Sequence, residues 1–178
     1  MRSRHVWAAV ILLATSAGAA ALVDPAGPED LAGQITSRMR ATLERSDPGQ
    51  HHHAGHQQLT GGDEKEPAVI CGVRVYGYEP AEAGTLAEVR TVYGFHLCGV
   101  AEQRRPWDVA VKLAGPVILD MSTEPPGIRI VEATDDVRFV DRLRQMFPAK
   151  YAEQAQKEAL TESEMTDLRR RYDDAAGL

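Results

Sequence analysis

Val69-Ile70-Cys71-Gly72-Val73-Arg74-Val75-Tyr76 and Thr91-Val92-Tyr93-Gly94-Phe95-His96-Leu97-Cys98 are the two runs whose reading decides the fold. Both are rich in β-branched and aromatic residues and hold no proline, which is the composition of strands. Between them, Glu79-Pro80-Ala81-Glu82-Ala83-Gly84 has the residues of a turn or short loop. The two runs therefore read as antiparallel neighbours. A register that sets Cys71 opposite Cys98 also sets Tyr76 opposite Tyr93. It places Val73 and Val75 on the face of His96 and not on that of Phe95 and Leu97, a conflict that a bulge near one of the glycines would relieve.

Cys71 and Cys98 are the only cysteines. In an exported chain an isolated pair on two strands reads as a disulfide, with a reactive thiol or a Cys–His metal site as the alternatives. Closing a loop of about 28 residues contributes about 3–4 kcal/mol in the chain-entropy model.

Further along, Arg104-Arg105-Pro106-Trp107 is a break, and Val109 to Leu113 fits a strand or a short helix equally well. Pro116-Val117-Ile118-Leu119-Asp120-Met121 reads as a strand with Pro116 at its first position. Pro125-Pro126-Gly127 is a turn and Ile128-Arg129-Ile130-Val131-Glu132 a fourth strand. Asp135 and Asp136 open a helix that aligns Val140, Leu143 and Phe147, and Pro148 ends it. The tail, 149–178, resumes with Lys150 to Ala159. Thr161-Glu162-Ser163-Glu164 then fits a capping box, opening a helix with Met165, Leu168 and Tyr172 on one side.

The expected fold is α+β: a small antiparallel sheet of three or four strands, packed on one face by the 136–147 helix, with an N-terminal export segment and a helical tail. Strands followed by helices, without βαβ alternation, argue against a doubly wound sheet. Residues 68–148 form the expected disulfide-bonded domain. About 80 residues bury only about 60% of their unfolded surface, which leaves such a core marginal without the cross-link.

The compartment is read from residues 1–23. Arg2, Arg4 and His5 precede the apolar run Val6 to Leu13, and small residues follow, with Ala17-Gly18-Ala19 and Ala19-Ala20-Ala21 both matching the A-x-A cleavage pattern. The rival reading is an uncleaved anchor, since Val6 to Val23 carries no charge until Asp24. Either way, the rest of the chain is expected outside the cytoplasm. Residues 24–67 are expected to hold an amphipathic helix over 28–46, with Leu31, Ile35, Met39 and Leu43 as its stripe, and then a disordered His-containing linker.

The 178 residues carry 20 basic and 26 acidic side chains, a net charge of −6, so no nucleic acid is expected as a partner. Membrane contact is expected only through the N-terminal segment if it stays uncleaved. Catalytic motifs are missing: no nucleophile elbow, Walker loop, dinucleotide fingerprint or His-Glu-x-x-His occurs. Ser122 and Ser163 have no base in view, and His96 has no evident acid or nucleophile as partner. His51, His52, His53 and His56 form the one unusual cluster, and neutral imidazoles there suit weak transition-metal binding. No other cofactor is expected.

Tyr76, Tyr93, His96 and Trp107 are the candidate binding face. The reading that follows is a non-enzymatic extracytoplasmic module for an unknown protein or cell-envelope component. The alternatives are a small extracytoplasmic enzyme using His96 or the Cys71/Cys98 pair, and a metal-binding protein acting through the His tract.

Overall fold

A computed structural model describes residues 28–46 and 67–178. Its four strands, β1 (Ala68–Glu79), β2 (Thr91–Ala101), β3 (Lys112–Asp120) and β4 (Gly127–Ile130), form one antiparallel meander in chain order. Four α-helices accompany them among the described residues: α1 (Pro28–Arg45), α2 (Phe139–Met146), α3 (Ala149–Ala155) and α4 (Glu162–Ala176). The protein is α+β. The expected export segment and the His51–His56 tract lie outside the described residues.

Cys71 stands opposite Cys98, and the two are joined in a disulfide. The β1–β2 register is regular from Ala68–Ala101 to Val75–Gly94 and then slips by one, so that Gly77 and not Tyr76 faces Tyr93. The expected Tyr76–Tyr93 pair is thus replaced by a bulge. The slip has a packing reason. It leaves Tyr76 with the Tyr93 cluster and turns Tyr78 onto the cluster of Val73 and Cys71. Gly77 sits where the Tyr151 ring crosses the strand, and a Cβ there would collide with it. The bulge lies beyond Val73, so Val73 does share a face with His96. The conflict is settled by burying the histidine: His96 is 1% exposed, and its Nδ1–H donates to the Gly115 carbonyl at 2.9 Å.

Pro116 lies inside β3, opposite Phe95, and not at its start. Its carbonyl accepts from Val131 N–H at 3.1 Å, so its backbone polar side faces away from β2. The missing N–H therefore costs no β2–β3 bond. β4 is shorter than expected and pairs only with Val117–Asp120.

Both faces of the sheet are covered, where the sequence suggested one. Leu31, Ile35, Met39 and Leu43 of α1 are buried against Cys71, Val73, Val92, Val117 and Leu119. On the opposite face, Tyr93 and Ile118 pack with Leu143, Phe147 and Tyr151. At the other end of that face, Ala101 and Trp107 pack with Leu168, Tyr172 and Ala176 of α4. The 135–138 segment is not helical, so α2 is only eight residues long and covers one end of the face. The core thus draws on residues on both sides of 68–148, supplying the apolar surface that about 80 residues lack.

The capping box opens α4 as its sequence implies. Thr161 Oγ1 accepts from Glu164 N–H at 3.3 Å, and Glu164 Oε2 accepts from Thr161 N–H at 2.6 Å. Gly177, in the left-handed conformation, ends the helix. Among the described residues no helix is long and apolar enough to cross a membrane.

Candidate functional site

The four residues of the expected binding face do not meet. Tyr93 lies between the rings of Phe147 and Tyr151, with centroids 5.3 and 5.1 Å away, and its hydroxyl donates to Glu79 at 3.1 Å. Burial, reinforced by the Glu79 hydrogen bond, pushes its pKa up to about 12. Tyr76 shares that face, where its hydroxyl donates to the Glu158 carbonyl. Burial, followed by the Glu158 charge, raises its pKa to about 12 as well. Trp107 belongs to the separate α4 cluster, edge-on to Tyr172 at 5.1 Å, with the Lys112 ammonium 5.1 Å from its ring centre. His96 lies on the opposite face, beneath α1. Tyr76 and Tyr93 are a local pair, whereas Trp107 and His96 serve other parts of the core.

The two cysteine sulfurs are bonded to each other, and Cys71 is fully buried. Among the described residues no group of three or more His, Cys, Asp or Glu side chains is placed to hold a metal ion.

The feature that the sequence did not bring forward is the outer edge of β1. In an antiparallel strand alternate residues turn both N–H and C=O to the same side. The Cys71 N–H donates to Glu44 Oε1 of α1 at 2.9 Å, and its carbonyl accepts from Arg171 of α4 at 2.6 Å. Cys71 therefore faces outward. By the same alternation Val73 and Val75 also face outward, and beyond the bulge Tyr78 does so. Among the described residues no hydrogen bond reaches the backbone of these three from outside the sheet. The edge is closed at Cys71, almost covered at Val73, which is 4% exposed, and open at the half-buried Val75 and Tyr78.

A cleft of about 210 Å³ sits where the closed part ends. Gly72 and Val73 form its floor, Arg40 of α1 lines one wall, and Ser163, Glu164, Asp167 and Arg171 of α4 line the other. The charges on the α4 side are matched. Arg171 bonds Glu44 and Asp167, each at 3.0 Å, while Arg170 also bonds Asp167. The hydrogen bond from Arg171 holds the Asp167 carboxyl below its ordinary pKa. Glu164 caps α4 and pairs with Arg74 at 3.4 Å. Arg40 differs: its Nε is buried with no hydrogen-bond partner, and no ion pair reaches it among the described residues. Chemically, the cleft offers backbone donors and acceptors beside one unmatched cation.

No family model, curated protein or solved structure matches the chain.

Proposed function

We propose that this chain is a non-enzymatic extracytoplasmic binding module that takes up a protein of the cell envelope along the open edge of β1. One observation carries the reading: the half-buried Val75 and Tyr78 turn their backbone polar groups outward beside a cleft. An unpaired edge is a template for another strand, and folds usually blunt it. Here the blunting stops before Val75. The enzyme alternative has less support. Chemistry at His96 needs access to a side chain held beneath α1, and a thiol nucleophile needs the disulfide reduced.

A photo-crosslinking side chain at Val75, introduced into the exporting cell, tests the module. The expected result is one discrete adduct with a second protein. It should vanish when Ser163→Trp fills the cleft and be missing when the crosslinker stands at exposed Glu153. Adducts confined to this chain, or insensitive to Ser163→Trp, would overturn the reading.

Export is part of the same proposal. The basic start, apolar run and A-x-A pattern of residues 1–23 agree with a disulfide formed in an oxidising compartment. N-terminal sequencing of protein from outside the cytoplasm should begin after Ala19 or Ala21. An intact Met1 there would establish the anchor instead.

A second reading rests on His51, His52, His53 and His56. Their imidazoles suit Zn²⁺, Cu²⁺ or Ni²⁺ at micromolar or weaker affinity, fading as pH falls through about 6.5. Zinc titration calorimetry of the native chain and of a variant with these four replaced by Ala decides it. Equal binding by the two would remove the tract as a metal site.

A further inference from the structure

The binding reading above leaves open what kind of segment the β1 edge accepts. Resting on that reading, we infer that the occupant is an extended acidic segment of another protein. Its backbone pairs with the edge at Val75 and Tyr78, and one carboxylate enters the cleft to reach the Arg40 guanidinium.

Three observations converge on this chemistry. The first is the sheet edge itself. Strand addition draws its affinity from main-chain hydrogen bonds and its specificity from pockets for alternate side chains. Val75 and Tyr78 supply two outward pairs of donor and acceptor, and the cleft provides a pocket beside the first of them, at Val73. The clamp at Cys71 stops an added strand from running further toward the start of β1.

The second is charge. Arg40 has a buried Nε with nothing bound to it, and its neighbours across the cleft are already committed to Arg74, Arg170 and Arg171. The Nε is closed off from solvent, so an incoming acceptor meets the guanidinium where it lines the cleft and offsets a charge that nothing among the described residues pairs. A carboxylate does so most effectively, because it carries the opposite charge.

The third is direction. Arg40 belongs to α1, which covers the sheet face of Val73, whereas Glu164 and Asp167 belong to α4 on the opposite face. Side chains of an added strand alternate between these walls. An acidic residue is thus favoured where it points to α1. At the adjoining positions, which point to the matched charges of α4, an acidic residue finds no unpaired cation and has no advantage. A second copy of this chain satisfies the pattern poorly. Antiparallel β1–β1 pairing about a two-fold axis normal to the sheet sets α1 beside α1, and Arg40 then approaches its own counterpart without a counter-charge.

Selection of a random dodecapeptide display library on the full chain tests this directly. Enriched sequences should carry Asp or Glu at one fixed place in an extended run, with no preference for acid on either side. A synthetic peptide of that sequence should bind about tenfold more weakly to Arg40→Gln, as expected for one charge-assisted hydrogen bond. Selection on Arg40→Glu should replace the acid by Lys or Arg at the same place, a reversal that a merely structural role for Arg40 would not produce. Peptides lost on Ser163→Trp but indifferent to Arg40→Gln would overturn the acidic occupant while leaving the edge reading intact. Peptides insensitive to Ser163→Trp, or no enrichment even on a variant whose residues 47–66 are replaced by a Gly-Ser segment, would overturn both. If peptides bind only after residues 47–66 are exchanged for a Gly-Ser segment of equal length, the edge is occupied by this chain's own segment, and the foreign partner is overturned.

Discussion

The Glu44 carboxylate and the Arg171 guanidinium meet at 3.0 Å around the outer edge of β1, joining helices that lie on opposite faces of the sheet. Both also bond the Cys71 backbone, so one residue of the edge is held by α1 through its N–H and by α4 through its carbonyl. The pair is about a quarter exposed on each side, which screens its Coulomb energy, but its hydrogen bonds satisfy backbone groups that have no strand partner.

Truncating either member should therefore destabilise the fold through unpaired polar groups more than through lost charge. Arg171→Ala is expected to cost about 2–3 kcal/mol and Glu44→Ala about 1–2 kcal/mol. The double variant should cost less than the sum, because each single change already frees the other partner. Arg171→Lys should recover little, since a point charge lacks the fork that spans Asp167, Glu44 and the Cys71 carbonyl. Urea unfolding of the native chain, the two alanine variants and the double variant provides the cycle, and strict additivity would mean that the two helices are not coupled at this point.

The disulfide adds a separate constraint, on the unfolded chain. It closes a 27-residue separation, so Cys71→Ser with Cys98→Ser should lower stability by about 2–5 kcal/mol. Alkylation followed by intact-mass measurement should find two thiols only after reduction. Two free thiols in protein recovered from outside the cytoplasm would show that the cross-link is not formed there.

Features carried by local pattern were legible in the sequence. The two strand runs that hold Cys71 and Cys98, the Thr161–Glu164 capping box and the Leu31-Ile35-Met39-Leu43 stripe each follow from residues within a few positions of one another, and the cysteines then supply the one long-range clue to pairing. Features set by distant neighbours were not. The place of Pro116 depends on where Val131 crosses it, and the Tyr76 bulge depends on Tyr151 crossing at Gly77. Whether His96 is a surface or a core residue depends on α1, which begins 68 positions earlier in the chain. The candidate site was the least legible part. Its clamp joins residues 127 positions apart, and an open strand edge is a property of pairing that no single residue type announces.

Met39 is the test of how far α1 belongs to the core. It is fully buried and packs against the bare backbone of Gly94, where an added Cβ would stand 2.9 Å from the methionine methyl. Met39→Ala should cost about 2–5 kcal/mol, and Ser37→Ala on the exposed side of the helix less than about 0.5 kcal/mol. A chain starting at Pro67 should lose its near-ultraviolet dichroism, because Val73, Val92, Val117 and Leu119 would lose their cover. A cooperative unfolding transition from that shortened chain would show that α1 is dispensable.

Alkaline pH should unfold the protein by way of Tyr76 and Tyr93. Both phenols are held neutral in the folded chain, with pKa values pushed from 10.0 to about 12, chiefly by burial. The shift is upward, so the stability tied to it is complete below about pH 10, where neither state ionises. Between about pH 10 and 12 the unfolded chain releases the protons first, and stability falls as pH rises through that window. Above it both states are ionised and the contribution is gone. Denaturation midpoints measured at pH 8, 10 and 11 should decline across the last two, with phenolate absorbance at 295 nm lagging behind that of free tyrosine. Tyr76→Phe should cost about 1 kcal/mol at pH 8, for the bond to the Glu158 carbonyl, and should flatten the alkaline decline. An unchanged slope in that variant would mean that Tyr76 ionises as readily in the folded chain as in the unfolded one.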